Sequence, residues 1–195
     1  MERPDDRFFF EEKVSNLLDQ LYGAALRLAK NREHAEDLVA ETVAKAWASR
    51  RSLKDRDKFR SWIFRILTNT FISGCRKRAV RPQGETFAEH PSDPETTFSL
   101  FEELHQPFLL WWGNPEKDFL NKLLSQDIEK AVDSLPKDFR MVVVLSDMEG
   151  FSYQEISEIL RVPVGTVRSR LARGRGLLQK VLWEHAKDAG LVKSQ

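Results

Sequence analysis

Apolar residues recur at intervals of three and four along most of this 195-residue chain, which is the spacing of amphipathic helices. The first patterns predict one helix over residues 8–30 and a second over 32–49 that Asn31 caps. A polar loop over 50–58 and a third helix over 59–78 follow. The stretch also holds Phe64 and Phe71, so this helix alone cannot bury every aromatic side chain; its inner face consists of Phe59, Trp62, Ile63, Ile66, Leu67 and Thr70.

The same spacing returns in the second half of the chain. One helix is predicted from about residue 118 to 132, and another from Leu135 to about Gly150. The apolar run 141–145 has the composition of a strand, but a strand needs a partner and no second candidate exists. We therefore interpret this run as part of a buried helix.

Residues 152–182 have the pattern of a helix-turn-helix. Ser152 and Glu155 fit a capping box, and the helix that they begin is expected to run to about Leu160. Residues 161–163 break that helix, and Pro163 suits the first position of the next one, where no N–H is needed. The second helix has an apolar stripe that consists of Val164, Val167, Leu171, Gly174 and Leu178.

The opposite side of this second helix is small and basic. Small side chains let a backbone approach DNA closely, and a guanidinium can bond a guanine edge or a phosphate. A solvated face on a core helix is the alternative, but four arginines in eight residues without an acid is poor design for solubility alone. We therefore expect this helix to enter the major groove through Arg168, Ser169, Ala172, Arg173 and Gly176, with Arg170 and Arg175 near the edges of the stripe.

The predicted fold class is all-α, with two small helical domains joined by a flexible linker and with the helix-turn-helix in the second domain. The expected bounds are 8–80 and 118–185 for the domains and 81–117 for the acidic, proline-containing linker, whose apolar stretch 98–112 is expected to pack on a domain or a partner. The net charge of +1 conceals an asymmetry of +5 in the first 80 residues, −7 in the next 55 and +3 in the last 60. Two basic domains with an acidic connector suggest two separate contacts with a polyanion.

Two faces in the first domain also suggest binding. Glu33, Asp37 and Glu41 follow one another at intervals of four, which destabilises a helix unless a basic partner docks there. A solvated acidic face is the alternative, and spacing alone favours it. In the third helix, basic residues interleave with aromatic ones, a composition that suits single-stranded nucleic acid. Core aromatics with basic residues placed by the helix dipole are the alternative.

The cysteine, the histidines and the N-terminal sequence argue against disulfide-bonded, metal-binding, secreted and membrane-inserted proteins. Cys75 is the only cysteine, so no internal disulfide forms, and a reducing cytoplasm is the expected location. The four histidines and Cys75 lack metal-ligand spacing, so neither a metal nor a cofactor is expected. The N-terminus is unlike a signal peptide, and no apolar run approaches the length of a membrane span, so no membrane insertion is expected.

Two sets of motifs together resemble the extracytoplasmic-function (ECF) group of bacterial RNA polymerase sigma factors. The first set is AEDLVAET at residues 35–42 with FRSWIFRILTNT at 59–70. The second is GFSYQEI at residues 150–156 with VPVGTVRSRL at 162–171. In this order and spacing, the resemblance covers the chain except for the linker and both tails.

This resemblance implies a promoter-specificity subunit that is not itself an enzyme. The acidic helix of the family docks on the largest polymerase subunit, and the matching positions are Asp37, Leu38, Glu41 and Lys45. The first domain of the family melts and reads the −10 element, which implies roles for Leu53, Lys54, Lys58, Arg65, Asn69, Ser73, Arg76 and Lys77. The second domain reads the −35 element, which implies roles for Tyr153, Thr166, Arg168, Ser169, Arg170, Ala172, Arg173 and Arg175.

The partners that this interpretation predicts are core RNA polymerase, promoter DNA and an anti-sigma factor that covers the aromatic and basic surfaces of both domains. The alternative is a helix-turn-helix regulator that binds operator DNA without polymerase. Such a regulator is expected to carry a ligand-binding or phosphoacceptor domain, and residues 1–80 resemble neither. A nuclease is disfavoured because no carboxylates cluster at the basic surfaces.

Overall fold

A computed structural model describes residues 4–79 and 128–188 of the chain. In residues 4–79, the N-terminal module, three helices pack on one another: α1 (Pro4–Ala29), α2 (Arg32–Ser49) and α3 (Phe59–Ala79). All three were predicted, and α1 begins four residues earlier than expected. The buried core of this module contains Leu21, Ala25, Leu28, Ala35, Val39, Ile63 and Leu67.

The connections in the N-terminal module are short and tightly bonded. Lys30 takes a left-handed conformation with φ at 60°, and the side chain of Asn31 accepts a hydrogen bond from the N–H of His34 at 3.1 Å, as the predicted cap requires. The segment expected to be a loop contains two short 3-10 turns, Arg50–Ser52 and Arg56–Lys58. Local side-chain bonding accounts for the second turn, since the carboxylate of Asp55 caps it by accepting from the N–H of Asp57 at 3.0 Å.

Residues 128–188 form the C-terminal module. It contains α4 (residues 128–134), α5 (Lys137–Val143), a π-helical turn (Val144–Met148), α6 (Tyr153–Leu160) and α7 (Val164–Asp188). The apolar run 141–145 is therefore helical, as predicted. Two residues after the π turn lies Gly150, whose φ of 70° is a conformation that glycine adopts without strain.

The all-α fold class is confirmed over the two modules, since residues 4–79 and 128–188 contain helices and turns but no strand. The predicted linker, its apolar stretch 98–112 and the first part of the helix expected from residue 118 lie outside the described residues. The domain bounds given above therefore stay predictions.

Helix α7 lies against α5 at very short range. The apolar stripe predicted for α7 is buried at Val167, Leu171, Gly174 and Leu178, and Val164 is half-buried. A Cβ atom on Gly174 would lie 2.8 Å from Cγ2 of Val143 and 3.4 Å from Cβ of Phe139. The two helix backbones can therefore approach this closely only because Gly174 has no Cβ atom.

The cores of the two modules meet at a pair of phenylalanines. The ring of Phe64 from α3 and the ring of Phe151, which precedes α6, have centroids 5.0 Å apart at an angle of 66°. Phe64 is 0% exposed and Phe151 is also buried. The ring of Phe64 is thus covered by the other module, and Phe71 is also buried.

Candidate nucleic-acid interface

The helix-turn-helix is held by the local bonds that its sequence predicts. The Ser152 hydroxyl accepts from the N–H of Glu155 at 3.3 Å, and the Glu155 carboxylate accepts from the N–H of Ser152 at 2.8 Å. This pair is the predicted capping box, and the hydrogen bonds that Ser152 donates lower the pKa of Glu155. At the other end of α6, Arg161 turns the chain in a left-handed conformation with φ at 55°.

Pro163 immediately precedes α7, whereas it was predicted to be the first residue of that helix. Helix α7 begins at Val164, and the carbonyl of Pro163 accepts from the N–H groups of Thr166 at 2.9 Å and Val167 at 3.1 Å. Pro163 therefore closes the first turn from outside the helix, which its fixed φ and missing N–H still suit.

The side chains predicted to read the −35 element differ in how much of them faces solvent. Arg168, Ser169 and Arg173 are exposed on α7, and Ala172 is half-buried beside them. Tyr153 and Thr166 are half-buried at the starts of α6 and α7. The hydroxyl of Ser169 donates to the carbonyl of Thr166 at 3.1 Å. The structure therefore brings together on α7 the small and basic residues that the sequence placed on one face.

The other two arginines of α7 are paired with carboxylates of the same module. Arg175 donates to both carboxylate oxygens of Asp147, at 3.1 and 2.5 Å, and Arg170 lies 3.2 Å from Asp138. Burial acts to lower the pKa of Arg175, but the hydrogen bond and charge of Asp147 outweigh it and raise this pKa. The side chains of Arg175 and Asp147 are both largely buried. These pairs fix α7 against α5 and the π turn.

A second polar face runs along the outside of α3. Asn69, Ser73, Arg76 and Lys77 are exposed, and their spacing of three and four places them on one side of the helix. Arg65, one turn earlier, is half-buried. All five were predicted to contact the −10 element, and the fold leaves this face accessible.

The segment before α3 is attached to α1. Arg56 donates to Asp6 at 2.8 Å and stacks over the ring of Phe9, with its guanidinium carbon 4.5 Å from the centroid. Leu53 packs against the core, whereas Lys54 and Lys58 are exposed. Of the three residues of this segment that were predicted to contact the −10 element, the two lysines face solvent and the leucine anchors the segment.

The acidic face of α2 is also accessible. Glu33, Asp37 and Glu41 are exposed, and Lys45 pairs with Glu41 at 2.7 Å. Leu38, predicted to contact polymerase, is 7% exposed and packs in the core of the module. The part of the predicted docking surface that faces solvent therefore consists of Asp37, Glu41 and Lys45.

Within residues 4–79 and 128–188, no group of three or more histidine, cysteine, aspartate or glutamate side chains is arranged to hold a metal ion. None of the helices in these two modules is both long and apolar enough to span a membrane.

The sequence did not reveal Arg60 or Glu149, which bind each other across the two modules. The guanidinium of Arg60 donates to the backbone carbonyl of Glu149 at 2.6 Å and stacks over the ring of Phe151 at 4.1 Å. The one available signal was that Phe64 did not fit the inner face of α3. Nothing in the sequence indicated which residues would cover it.

The two modules match two family profiles of one class of protein. The profile of Sigma-70 region 2 matches residues 14–81, and that of Sigma-70 region 4 matches residues 125–178. A helical module with an exposed acidic helix and polar face, followed by a helix-turn-helix module, therefore defines a sigma factor of the Sigma-70 class.

The relatives place the chain in one group of that class. It is 32% identical over 177 residues to "ECF RNA polymerase sigma factor SigW" of Bacillus subtilis, covering 91% of this chain and 90% of that protein. It is 35% identical over 182 residues to "ECF RNA polymerase sigma factor SigE" of Mycolicibacterium smegmatis, covering 92% of this chain but 63% of that longer protein. The chain belongs to the ECF RNA polymerase sigma factors.

Solved structures agree on the fold. The sigma factor RpoE from Bartonella quintana, solved in complex with the anti-sigma factor NepR, is 30% identical with a TM-score of 0.64. That match covers 89% of this chain and 96% of RpoE. CnrH, solved with the cytosolic domain of CnrY, matches with a TM-score of 0.57 at 21% identity, which is a likeness of fold.

Proposed function

We propose that this chain binds core RNA polymerase and directs it to promoters by contacting a −35 element with its C-terminal module and a −10 element with its N-terminal module. The observation that carries the proposal is the exposure of two separate faces, one on α7 and one on α3, each of which bears arginine or lysine beside small polar residues. A protein that reads two elements of one promoter needs two such faces.

In the C-terminal module, Arg168 and Arg173 are the best candidates for contacts with base edges or phosphates in the major groove. Both are exposed, whereas Arg170 and Arg175 are engaged with carboxylates. A guanidinium that is already bound bidentately to a carboxylate must give up that pair to reach DNA. We therefore assign Arg175 a supporting role in the orientation of α7.

In the N-terminal module, we assign strand contacts to the exposed face of α3 and polymerase docking to the exposed face of α2. The carboxylates on α2 are spaced so that they repel one another. A basic surface on the polymerase removes that repulsion, so the unfavourable spacing supports a docking role for Asp37 and Glu41. Lys54 and Lys58 extend the basic surface toward the start of α3.

Three further assignments complete the proposal. The chain acts in the cytoplasm, because polymerase and promoter DNA are there. It acts by binding and has no catalytic activity of its own. An anti-sigma factor regulates it, as the complex with NepR indicates for the related RpoE, which matches 89% of this chain.

The test is transcription in vitro from a library of genomic promoters with core polymerase, with and without the chain. The chain is expected to direct initiation to a defined set of sites. The chain by itself is expected to bind the same promoter duplexes weakly, which separates it from an operator-binding regulator. Initiation that is no more specific than that of core polymerase alone would refute the proposal.

Arg173→Ala tests the groove assignment. It is expected to weaken use of −35-dependent promoters by about 1–3 kcal/mol, because an exposed guanidinium contact is lost. Lys180→Ala is the matched control, since it removes one exposed positive charge farther along α7. Equal effects of the two substitutions would mean that only net charge matters and that Arg173 does not occupy the groove.

A further inference from the structure

The two ion pairs that tie arginines of α7 to carboxylates of the C-terminal module differ in how far solvent reaches them. Arg175 donates to both carboxylate oxygens of Asp147, and the two side chains are 20% and 15% exposed. Nη2 of Arg170 lies 3.2 Å from Oδ2 of Asp138, and these two side chains are 27% and 49% exposed. The first pair is a fixed part of the module, whereas solvent and dissolved ions reach the second.

Arg170 lies at the border of the exposed face of α7. Thr166 is four residues before it and Arg173 is three residues after it, so both are its neighbours on the helix surface. Gly174, four residues after Arg170, packs against α5. The guanidinium of Arg170 therefore lies where the exposed face of α7 meets the side that packs on α5, next to residues that were predicted to contact DNA.

The border of a helix in the major groove faces the phosphate backbone of the duplex. The groove is about 12 Å wide and a helix with its side chains is about 10–12 Å across, so the two backbones follow the flanks of the helix. A guanidinium binds phosphate and carboxylate with the same planar arrangement of N–H groups. Asp138 thus holds Arg170 through the groups that a backbone phosphate would bind.

The exchange of Asp138 for a phosphate costs little. An ion pair between partly exposed side chains contributes a factor of at most about five to an equilibrium constant. A carboxylate and a phosphate compete for one guanidinium, so DNA has to displace Asp138 before it binds Arg170. The displaced carboxylate then remains beside the phosphate and repels it. Both effects weaken the binding of duplex DNA by a small factor.

We propose that Asp138 competes with DNA phosphate for Arg170 and thereby sets the affinity of the C-terminal module for duplex DNA. In the absence of DNA, Arg170 is paired with Asp138, and on DNA it exchanges this carboxylate for a phosphate at the edge of the groove. The proposal rests on the proposed function, since it requires α7 to lie in the major groove. Phosphate contacts carry no sequence information, so the competition limits how much of the chain is held on DNA outside promoters.

Asp138→Asn tests the competition in the full-length chain without polymerase. The fluorescence anisotropy of a short labelled duplex of random sequence measures the dissociation constant at low salt. Asparagine keeps the size of the side chain and removes its charge, so binding should tighten about two- to fivefold. A dissociation constant equal to that of the wild type would overturn the proposal.

A double-mutant cycle separates competition for Arg170 from the mere loss of a negative charge near DNA. In a chain that already carries Arg170→Ala, Asp138→Asn should change the dissociation constant by less than about 1.5-fold, because the guanidinium that it released is gone. Glu158→Gln is the control for net charge, since it removes an exposed carboxylate of α6, and its effect should be equally small. If Asp138→Asn tightens binding by the same factor with and without Arg170, the proposal is wrong.

The salt dependence of binding reports whether Arg170 contacts phosphate. Each neutralised phosphate contributes about −0.9 to the slope of the logarithm of the binding constant against the logarithm of the salt concentration. Arg170→Ala should therefore make this slope shallower by about 0.9. Asp138→Asn should leave the slope unchanged, because the same number of phosphates is bound. An unchanged slope in Arg170→Ala, or a steeper one in Asp138→Asn, would mean that Arg170 of the wild type does not reach a phosphate.

Binding to a promoter and transcription with core polymerase separate this inference from the proposed function. Asp138→Asn should tighten binding to a promoter duplex and to a random duplex by the same factor. A gain confined to the promoter would mean that Arg170 reads a base edge, which contradicts the inference. If the chain and core polymerase direct no specific initiation, the proposed function fails while the anisotropy still reports the competition. If initiation is specific and Asp138→Asn binds DNA like the wild type, the inference fails alone.

Discussion

Replacement of Gly174 by alanine tests whether α7 and α5 approach as closely as the structure shows. The added Cβ would lie 2.8 Å from Cγ2 of Val143, a separation that Cβ atoms essentially never have, and 3.4 Å from Cβ of Phe139. Val143 is 1% exposed, and a β-branched side chain in a helix has one strongly preferred rotamer. It therefore cannot rotate away, and the two helices must separate by several tenths of an ångström.

The expected effect is the sum of two opposing contributions. Alanine stabilises a helix interior by about 0.8–1 kcal/mol relative to glycine. Insertion of a methyl group into a packed core costs about 1–3 kcal/mol. The net expectation for Gly174→Ala is a loss of about 1 kcal/mol in the free energy of unfolding. That loss is large enough to measure.

The matched control is Gly176→Ala, two residues farther along the same helix. A Cβ at Gly176 would meet nothing within 4 Å, so only the gain in helix propensity remains, and stability should rise by up to about 1 kcal/mol. Urea unfolding of the two variants, followed by circular dichroism at 222 nm, gives the comparison. If Gly174→Ala is as stable as Gly176→Ala, the close packing of α7 on α5 is incorrect.

Three other substitutions test separate parts of the structure. Arg175→Ala should cost about 2 kcal/mol of unfolding free energy, because it leaves the largely buried Asp147 without its bidentate partner. Arg173→Ala should change stability by less than about 0.5 kcal/mol. Urea unfolding of the two variants measures the difference. Ser152→Ala should cost about 1 kcal/mol of unfolding free energy at pH 7. The hydrogen bonds from Ser152 lower the pKa of Glu155, so the stability that they contribute is present above the ordinary glutamate pKa and is lost as pH falls through the lowered value. The difference in stability from wild type should therefore shrink in acid, and equal losses at pH 7 and pH 3 would contradict the capping box. Asp37→Lys should abolish capture by core polymerase without a change in stability. The same charge reversal at Asp19, an exposed aspartate of α1, should leave capture unchanged. If a pull-down shows that Asp37→Lys is still captured, the α2 face is not the polymerase docking site.

Most of the helices were predictable because their signals are local. The Asn31 cap, the Ser152–Glu155 capping box and the apolar spacing of α7 each involve residues within a few positions of one another, so a helix begins, continues and buries one face for reasons visible in a short window. The motifs that resemble the ECF sigma factors lie on these same helices. The error of one residue at Pro163 and the unexpected 3-10 turns are at helix ends, where side-chain bonds decide between nearly equal alternatives.

The sequence does not indicate which arginines of α7 face solvent and which pair with carboxylates of the same module. Arg168, Arg170, Arg173 and Arg175 look alike as a run, and the expectation that all four contact DNA treats them alike. Two of them meet carboxylates from α5 and the π turn, which are 32 and 28 residues away along the chain, respectively. No periodicity in α7 carries information about where those carboxylates lie.

The sequence by itself determined that this chain folds into helices, where most of them begin and end, and to which family it belongs, because those properties depend on neighbours along the chain. Tertiary structure alone decided that Phe64 packs on Phe151, that Arg60 binds the carbonyl of Glu149, and that Gly174 must have no side chain. These contacts join residues that are far apart in sequence, and the free energy of each depends on distances that only the folded chain sets.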